Sequence, residues 1–179
     1  EEIKAIKKVI NSGVYTYRGK YVKKFEKKFA KFFNSKYAAM VNSGSSANLI
    51  AIASLFFKKD RPLKSGDEVI VPALAWSTTY NPLQQYGLKL RIVDINLETL
   101  NVDVNDVINA VTKKTKAIVA VSILGNPVEL KKLKKFCLKK KIYLIEDNCE
   151  SMGARINEKY TGTYGIVNTF STFFSHHIS

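Results

Sequence analysis

Several polar residues stand directly after apolar runs, in positions from which their side chains could do chemistry. Asp147 follows an apolar run that ends at Ile145, and Glu150 stands three residues further on. A carboxylate at such a strand end can keep a pyridine nitrogen protonated, and the protonated ring then acts as an electron sink. An aspartate there also commonly caps a helix or forms an ion pair, so the motif leaves both roles open for Asp147.

A run of small residues precedes a predicted helix, in the order Asn42-Ser43-Gly44-Ser45-Ser46-Ala47-Asn48. Backbone N–H groups at the N-terminus of a helix attract anions such as phosphate, and small side chains leave room for the anion to approach. Ser45 and Ser46 are also ordinary residues for a helix cap. The run therefore fits either a phosphate cradle or a plain cap.

Three more side chains could also do chemistry. Trp76 is the single tryptophan, and its ring could stack on a flat cofactor or fill the core. Ser171 is predicted to lie in an apolar strand, where its hydroxyl either meets a ligand or is satisfied within the core. His176 follows five residues later. With an unperturbed pKa of about 6.5 a histidine can move protons at neutral pH, although it can equally be buried or cap a helix.

The elements that must position these residues alternate along the chain. Apolar runs predict strands, and apolar residues at helical spacing predict helices. The predicted strands cover residues 37–41, 68–71, 90–94, 116–122 and 142–145, and the predicted helices cover residues 20–33, 46–57, 76–86, 104–111 and 128–139. This alternation indicates an α/β fold with a mostly parallel mixed sheet and helices on both faces, in which ligands collect at the carboxyl ends of the strands.

Two local features add detail to this pattern. Pro82 falls inside the helix predicted at 76–86, and it should mark the first turn or a kink because proline has no N–H to donate. Residues 157–159 read as a simple hairpin turn between two short strands.

Length and composition indicate a soluble globular chain. Its 179 residues, 46% of them hydrophobic, can bury a core and would ordinarily form one domain. The longest apolar stretch, residues 117–124, is far shorter than the roughly 20 residues of a membrane span. Cys137 and Cys149 lack metal-binding spacing, so we expect reduced thiols in a cytoplasmic protein with no metal site, and Cys137 in the core.

The chain is strongly basic, with 29 lysines and arginines against 15 acidic residues and a formal charge of +14. Such an excess raises the possibility of nucleic-acid binding. Many of the lysines, however, lie on the polar side of the helix predicted at 20–33, which favours a solvated helix face. The excess still favours anionic ligands, such as the phosphate of a cofactor or a nucleotide diphosphate.

Five segments, taken in order, resemble the DegT/DnrJ/EryC/StrS sugar aminotransferase family over nearly the whole chain. They are NSGSSAN (42–48), WSTTYNPLQQYGL (76–88), LGNP (124–127), EDNCESMGA (146–154) and FSTFFSHHIS (170–179). The resemblance implies the large domain of the aspartate aminotransferase fold, fold type I of the pyridoxal 5'-phosphate (PLP) enzymes. It also implies a homodimer with its active site at the subunit interface.

The chain begins at Glu1 without an initiating methionine and ends at Ser179 directly after an apolar run. We therefore expect residues 1–179 to be a fragment, comprising the N-terminal part and the large cofactor-binding domain. The family's smaller C-terminal domain would be absent from this chain. The segment 13–19 resembles the substrate-side loop of the family.

The resemblance also assigns roles by position. Asp147 would pair with the pyridine nitrogen, and Trp76 would stack on the ring. Glu150 stands where the aminotransferases usually have a glutamine near the ring's phenolic oxygen. The phosphate would be held by three small residues, partly through backbone N–H groups: Gly44, Ser45 and Ser171.

His176 takes the place of the lysine that anchors PLP covalently in these aminotransferases. A histidine cannot form that anchor but still moves protons. The histidine variant resembles the 4-keto-6-deoxysugar 3-dehydratases, which use pyridoxamine 5'-phosphate (PMP). The implied reaction removes the C3 hydroxyl of a nucleotide-linked 4-keto-6-deoxyhexose, with glutamate as amino donor, and gives a 3,6-dideoxysugar precursor for lipopolysaccharide O-antigen.

Other functions remain open at this point. A plain sugar aminotransferase would need His177 or a residue beyond Ser179 to compensate, and the lack of a lysine after Lys159 opposes it. In an iron–sulfur-assisted dehydratase of CDP sugars, the cysteines that bind the cluster would lie after Ser179. A non-catalytic basic module would bind nucleic acid with strongly salt-dependent affinity. The nucleotide, whether GDP, CDP or dTDP, is not fixed by the sequence.

Overall fold

The computed structural model describes residues 1–13 and 19–176 and divides the chain into two compact units, Glu1–Met40 and Val41–Ser179. The first unit contains helix α1 (Glu2–Asn11) and helix α2 (Lys20–Phe32). The second helix confirms the prediction for residues 20–33. Its lysines are exposed, as expected for a solvated helix face.

The strand predicted at residues 37–41 is absent from the structure. In its place the chain is held by side chains, since the backbone N–H of Met40 donates to Glu26 Oε1 at 2.9 Å and Ser35 Oγ donates to the carbonyl of Tyr37 at 3.0 Å. A strand requires a hydrogen-bonded neighbour. Within the described residues no strand pairs with this segment, and an apolar run without such a neighbour does not form a strand.

The second unit is built on a five-stranded sheet in the order β2-β1-β3-β4-β7, and all four pairings between neighbours are parallel. A separate antiparallel hairpin of β5 and β6 confirms the predicted turn near residues 157–159. The strands are β1 (Glu68–Pro72), β2 (Lys89–Val93), β3 (Thr115–Val121), β4 (Tyr143–Asp147), β5 (Arg155–Ile156), β6 (Lys159–Tyr160) and β7 (Val167–Thr169).

Helices precede the first strand of this sheet and connect several of the others. They are α3 (Gly44–Phe56), α4 (Ser77–Gln85), α5 (Val104–Ala110), a 3₁₀ turn (Ile123–Gly125) and α6 (Leu130–Lys140). Among the residues that the structure describes, no helix combines the length and the apolar character that crossing a membrane requires.

Two apolar clusters lie on opposite faces of the sheet, as alternation along β1 shows. Val69 and Val71 belong to the cluster that includes residues of α3 and α4, whereas Ile70 between them belongs to the cluster that includes residues of α5 and α6. Successive side chains of a strand point to opposite faces. The prediction of a mostly parallel sheet with helices on both faces is therefore confirmed. Cys137 lies in the second cluster, and burial raises the pKa of its thiol to about 12.

Two element boundaries near the predicted site differ from the sequence-based ones. Helix α3 begins at Gly44 rather than at residue 46, because Ser43 precedes it as the cap and its Oγ accepts from the N–H of Ser46 at 3.1 Å. Ser171 was predicted to lie in a strand, but β7 ends at Thr169, where its pairing with the last residue of β4 also ends. Ser171 therefore lies in the segment that leaves the sheet.

Candidate functional site

The carboxyl ends of four parallel strands bring distant parts of the chain to one edge of the sheet. Trp76 follows β1, Leu124 follows β3, Asp147 ends β4 and Ser171 follows β7. Strand β2 lies to one side of β1 and strand β3 to the other. Such a reversal of strand order opens a crevice at the carboxyl edge, which is where ligands of open α/β sheets bind.

The carboxylate of Asp147 is buried at this edge, with 5% of the residue exposed. Its Oδ2 accepts from Asn48 Nδ2 at 2.9 Å and from Thr79 Oγ1 at 2.8 Å, and its Oδ1 accepts from the N–H of Cys149 at 3.2 Å. All three donors are neutral. No lysine, arginine or histidine forms an ion pair with Asp147 in the part of the chain that the structure describes.

A buried carboxylate ordinarily needs a positive partner, because neutral hydrogen bonds offset only part of the energy lost with its hydration. Asp147 therefore fits a cationic ligand group such as the protonated nitrogen of a pyridine ring. Its three donors fix the orientation of the carboxylate, and they leave lone pairs for a further hydrogen bond.

Asn48 and Thr79, which position Asp147, were not among the predicted site residues. Asn48 Oδ1 also accepts from Thr169 Oγ1 at 2.6 Å, which ties the helix to β7. A signal was present in the sequence. The buried residues of α3 recur at helical spacing, and Asn48 is the polar member of a face shared with Ala51, Ile52 and Leu55.

Pro82 contributes to the hydrogen bonds around Asp147 because it has no backbone N–H. It is the sixth residue of α4 and so lies beyond the first turn, which was one of the two places predicted for it, the other being a kink. Because proline has no N–H, the carbonyl of Thr78 loses its usual helical partner four residues on. That carbonyl accepts from Asn48 Nδ2 at 3.2 Å instead. Both hydrogens of the Asn48 amide are thus occupied, one by Thr78 and one by Asp147.

The structure places Gly44 and Ser171 next to each other. A Cβ atom on Gly44 would lie 2.9 Å from Ser171 Cβ and 2.9 Å from Cys149 Sγ, so only glycine fits this position. Gly44 and Ser45 are the first two residues of α3, and their N–H groups have no partner within the helix. These backbone donors and the Ser171 hydroxyl form a cradle of the kind that holds a phosphate.

The thiol of Cys149 lies against this cradle. Burial raises its pKa, and the neighbouring carboxylates of Asp147 and Glu150 raise it further. The thiol therefore stays protonated, and it adds no negative charge to a place suited to an anion. The backbone N–H of Phe173 donates to Ser171 Oγ at 3.1 Å, which orients the serine hydroxyl next to Gly44.

Replacement of Gly44 by alanine is expected to damage the cradle and to lower stability together. The added methyl group would overlap Cys149 and Ser171, and overpacking of this kind costs about 1–3 kcal/mol. We expect a lower melting temperature and a loss of phosphate-dependent cofactor affinity, measured by thermal denaturation with and without PMP. Ser54→Ala, an exposed change in the same helix, is the control. An unchanged affinity in Gly44→Ala would exclude the cradle as the phosphate site.

Trp76 is 60% exposed, so it is not a core residue. Its indole Nε1–H donates to Glu150 Oε1 at 2.5 Å, and Glu150 Oε2 accepts from the backbone N–H of Leu124 at 2.8 Å. The structure thus joins two of the predicted site residues that are far apart in the sequence. An aromatic ring held in place but left open to solvent is available to stack on a flat ligand.

Glu146 stabilises the loop that precedes β7, next to the site. It is fully buried, and its carboxylate accepts from the N–H groups of Gly162 at 2.7 Å and Tyr164 at 2.6 Å. Burial raises its pKa against the effect of these hydrogen bonds. The contacts fix the loop that leads into β7 and hence the position of Ser171. Among the described residues, no three His, Cys, Asp or Glu side chains cluster as metal ligands would.

His176 lies in a turn beyond Ser171 and is half-buried. Its backbone N–H donates to the carbonyl of Phe173 at 2.9 Å, and its imidazole packs edge-on against the ring of Phe173 with 5.4 Å between ring centroids. No side-chain hydrogen bond joins His176 or Ser45 to another predicted site residue within the described ranges. His177 and residues 14–18 of the loop expected on the substrate side lie outside those ranges.

The chain matches known proteins along its whole length. The model of the DegT/DnrJ/EryC1/StrS aminotransferase family matches residues 1–179. GDP-4-keto-6-deoxy-D-mannose 3-dehydratase of Yersinia pseudotuberculosis is 56% identical over 179 residues, which are 100% of this chain and 45% of that protein. The chain thus spans about half the length of the curated relatives that it matches.

Solved structures show the same similarity in three dimensions. Escherichia coli GDP-4-keto-6-deoxy-D-mannose-3-dehydratase with bound hydrated PLP has a TM-score of 0.94 and 56% identity, covering 99% of this chain and 46% of that one. A structure of GDP-4-keto-6-deoxymannose-3-dehydratase with a trapped PLP–glutamate geminal diamine has a TM-score of 0.95 and 55% identity, and it also covers 99% of this chain and 46% of that one. The protein therefore belongs to the DegT/DnrJ/EryC1/StrS aminotransferase family.

Proposed function

We propose that the full-length protein is a PMP/PLP-dependent 3-dehydratase of a GDP-linked 4-keto-6-deoxyhexose. The observation that carries the proposal is His176 at the position of the family's anchoring lysine, with no lysine between Lys159 and Ser179. The rest of the site fits a pyridoxal-type cofactor. The 56% identity to GDP-4-keto-6-deoxy-D-mannose 3-dehydratase supports this function over amination.

The cofactor would be held by the residues described above. The buried carboxylate of Asp147, which has no cationic partner among the described residues, would meet the ring nitrogen, and Trp76 would stack on the ring. The phosphate would occupy the cradle formed by Gly44, Ser45 and Ser171. When bound, PMP supplies an amine for the sugar ketone and a ring that takes up electrons.

His176 would act as acid and base. Its imidazole would accept one proton and donate one to the oxygen of the C3 hydroxyl, which then leaves as water. A lysine would instead hold the cofactor covalently and favour exchange of the ketone for an amine. Glutamate would be the amino donor, as the glutamate adduct of the solved relative suggests. Overall the sugar loses one oxygen while glutamate becomes 2-oxoglutarate and ammonia, so atoms and electrons balance.

We further propose that residues 1–179 are the N-terminal part and the large cofactor-binding domain of a protein with a smaller C-terminal domain. The basis is the share of the relatives that this chain covers, 45% of one and 46% of another. The complete protein would act as a homodimer. Its product would be a 3,6-dideoxysugar precursor for lipopolysaccharide O-antigen.

The test is to incubate the full-length protein with PMP, glutamate and GDP-4-keto-6-deoxymannose and to identify the sugar by mass spectrometry. Loss of one oxygen is the expected result. An amino sugar would make the protein an aminotransferase and would overturn the role of His176. Unchanged substrate, together with turnover of a CDP-linked sugar in the presence of a reductase, would replace the proposal with the iron–sulfur-assisted reaction.

A further inference from the structure

The carboxylate of Glu150 joins two loops that leave different strands. One oxygen accepts from the indole N–H of Trp76 at 2.5 Å, and the other accepts from the backbone N–H of Leu124 at 2.8 Å. The first loop follows β1 and the second follows β3, which are neighbouring strands on either side of the crevice. We call this arrangement the Glu150 clamp.

Both partners of the clamp are obligate donors. An indole nitrogen and a backbone nitrogen carry a hydrogen and cannot accept one. A glutamine at position 150 would have one acceptor oxygen, and its NH₂ group would face the second donor. The clamp therefore requires a carboxylate. This accounts physically for a glutamate at the position where aminotransferases of the family usually have a glutamine.

The clamp holds groups that gain little from burial. Trp76 is 60% exposed and Leu124 is 69% exposed. Leu124 also has a φ of +49°, a left-handed conformation that is unfavourable for a residue with a side chain. On the other side of this residue, the N–H of Ile123 is occupied by Asn101 Oδ1 at 3.3 Å. Strained backbone and exposed apolar groups that are nevertheless fixed in place are typical of ligand-binding sites.

We propose that Glu150 is a positioning residue that acts through Trp76 and Leu124 rather than through direct contact with the cofactor. It sets the angle of the indole ring before the cofactor arrives, so that the ring does not have to be ordered on binding. The inference rests on the proposed function in one respect, since PMP is taken as the ligand that meets Trp76.

The first measurement needs no cofactor. Trp76 is the single tryptophan of the 179 residues, and its fluorescence in the full-length protein is obtained as the difference from Trp76→Phe. In Glu150→Gln we expect acrylamide to quench this signal more strongly, because the indole is released. Glu158→Gln, an equal change at an exposed glutamate of the hairpin, should leave the signal unchanged.

The second measurement is the affinity for PMP. In Glu150→Gln the released indole has to be ordered when PMP binds, and this cost should weaken binding about tenfold. In the Trp76→Phe background the same change should have a much smaller effect, because the partner through which it acts has gone. Equal effects of Glu150→Gln in the two backgrounds would show direct contact with the cofactor and would overturn the positioning role.

The two proposals fail in different ways. If Glu150→Gln leaves quenching as in the unmodified protein, the clamp does not hold Trp76 and the inference is wrong. If quenching rises in Glu150→Gln but neither this variant nor the unmodified protein binds PMP, the Glu150 clamp is supported and the proposed function is wrong. A far-ultraviolet circular dichroism spectrum identical to that of the unmodified protein ensures that the comparison is between folded proteins.

Discussion

Replacing His176 with asparagine in the full-length protein is expected to abolish formation of the deoxysugar while PMP still binds. Asparagine is polar and of similar reach, but it cannot accept and return a proton. General acid–base catalysis by a positioned side chain contributes about 10²–10⁴-fold to rate, and turnover should fall by at least this factor. The measurement is single-turnover loss of the C3 oxygen, followed by mass spectrometry at saturating PMP.

His177→Asn is the matched control for that experiment, because it makes the same chemical change one residue further along the chain. Its turnover should stay close to that of the unmodified protein. Activity that survives in His176→Asn but disappears in His177→Asn would move the proton-transfer role to the neighbouring histidine. Loss of PMP affinity in His176→Asn would mean that the residue binds the cofactor instead of moving protons.

Asp147→Asn is the second change with a large expected effect. An amide cannot keep a ring nitrogen protonated, and its NH₂ group would face the donors that now bind the carboxylate. Removing one partner of a buried ion pair typically costs about 3–5 kcal/mol, so PMP affinity should fall by roughly 10²–10⁴-fold. Turnover should fall further, because the ring no longer takes up electrons. Absorbance titration with PMP measures the first effect.

The cofactor-free protein provides an independent readout for Asp147. In that state Asp147→Asn removes an unpaired buried charge, but it also turns an NH₂ group towards a donor. Because these two effects oppose each other, the melting temperature should change little. Asp106→Asn, at an exposed position in the first turn of α5, is the control. A clear fall in the stability of cofactor-free Asp147→Asn would identify the aspartate as a structural residue.

Much of the sheet could be predicted because its central strands are buried on both faces and appear as unbroken apolar runs. Strands β1, β3 and β4 are of this kind. The same criterion failed at residues 37–41, where an apolar run has no strand beside it in the described structure. A strand forms only when two segments pair through hydrogen bonds, and one apolar run does not show whether a second segment lies beside it.

The site was predictable to the extent that parallel strands bring their carboxyl ends to one edge. This rule predicted that Asp147 and Trp76 lie at the sheet edge, where the structure has them, whereas Ser171 was predicted to lie within a strand and instead follows β7. It could not reveal Asn48 or Thr79, because each lies on the buried side of a helix and resembles a core position. Nor could it reveal the Glu150–Trp76 contact, which depends on how two loops 74 residues apart approach each other.

The missing N–H of Pro82 has a consequence for how functional positions are recognised. Alanine there would give the helix an ordinary hydrogen bond and would compete with Asn48 for the carbonyl of Thr78. The amide of Asn48 would then be free to rotate away from Asp147, although no polar side chain had been altered. A search for functional residues that considers only reactive groups would miss Pro82. Its contribution is a missing helical hydrogen bond, which leaves the carbonyl of Thr78 available to Asn48.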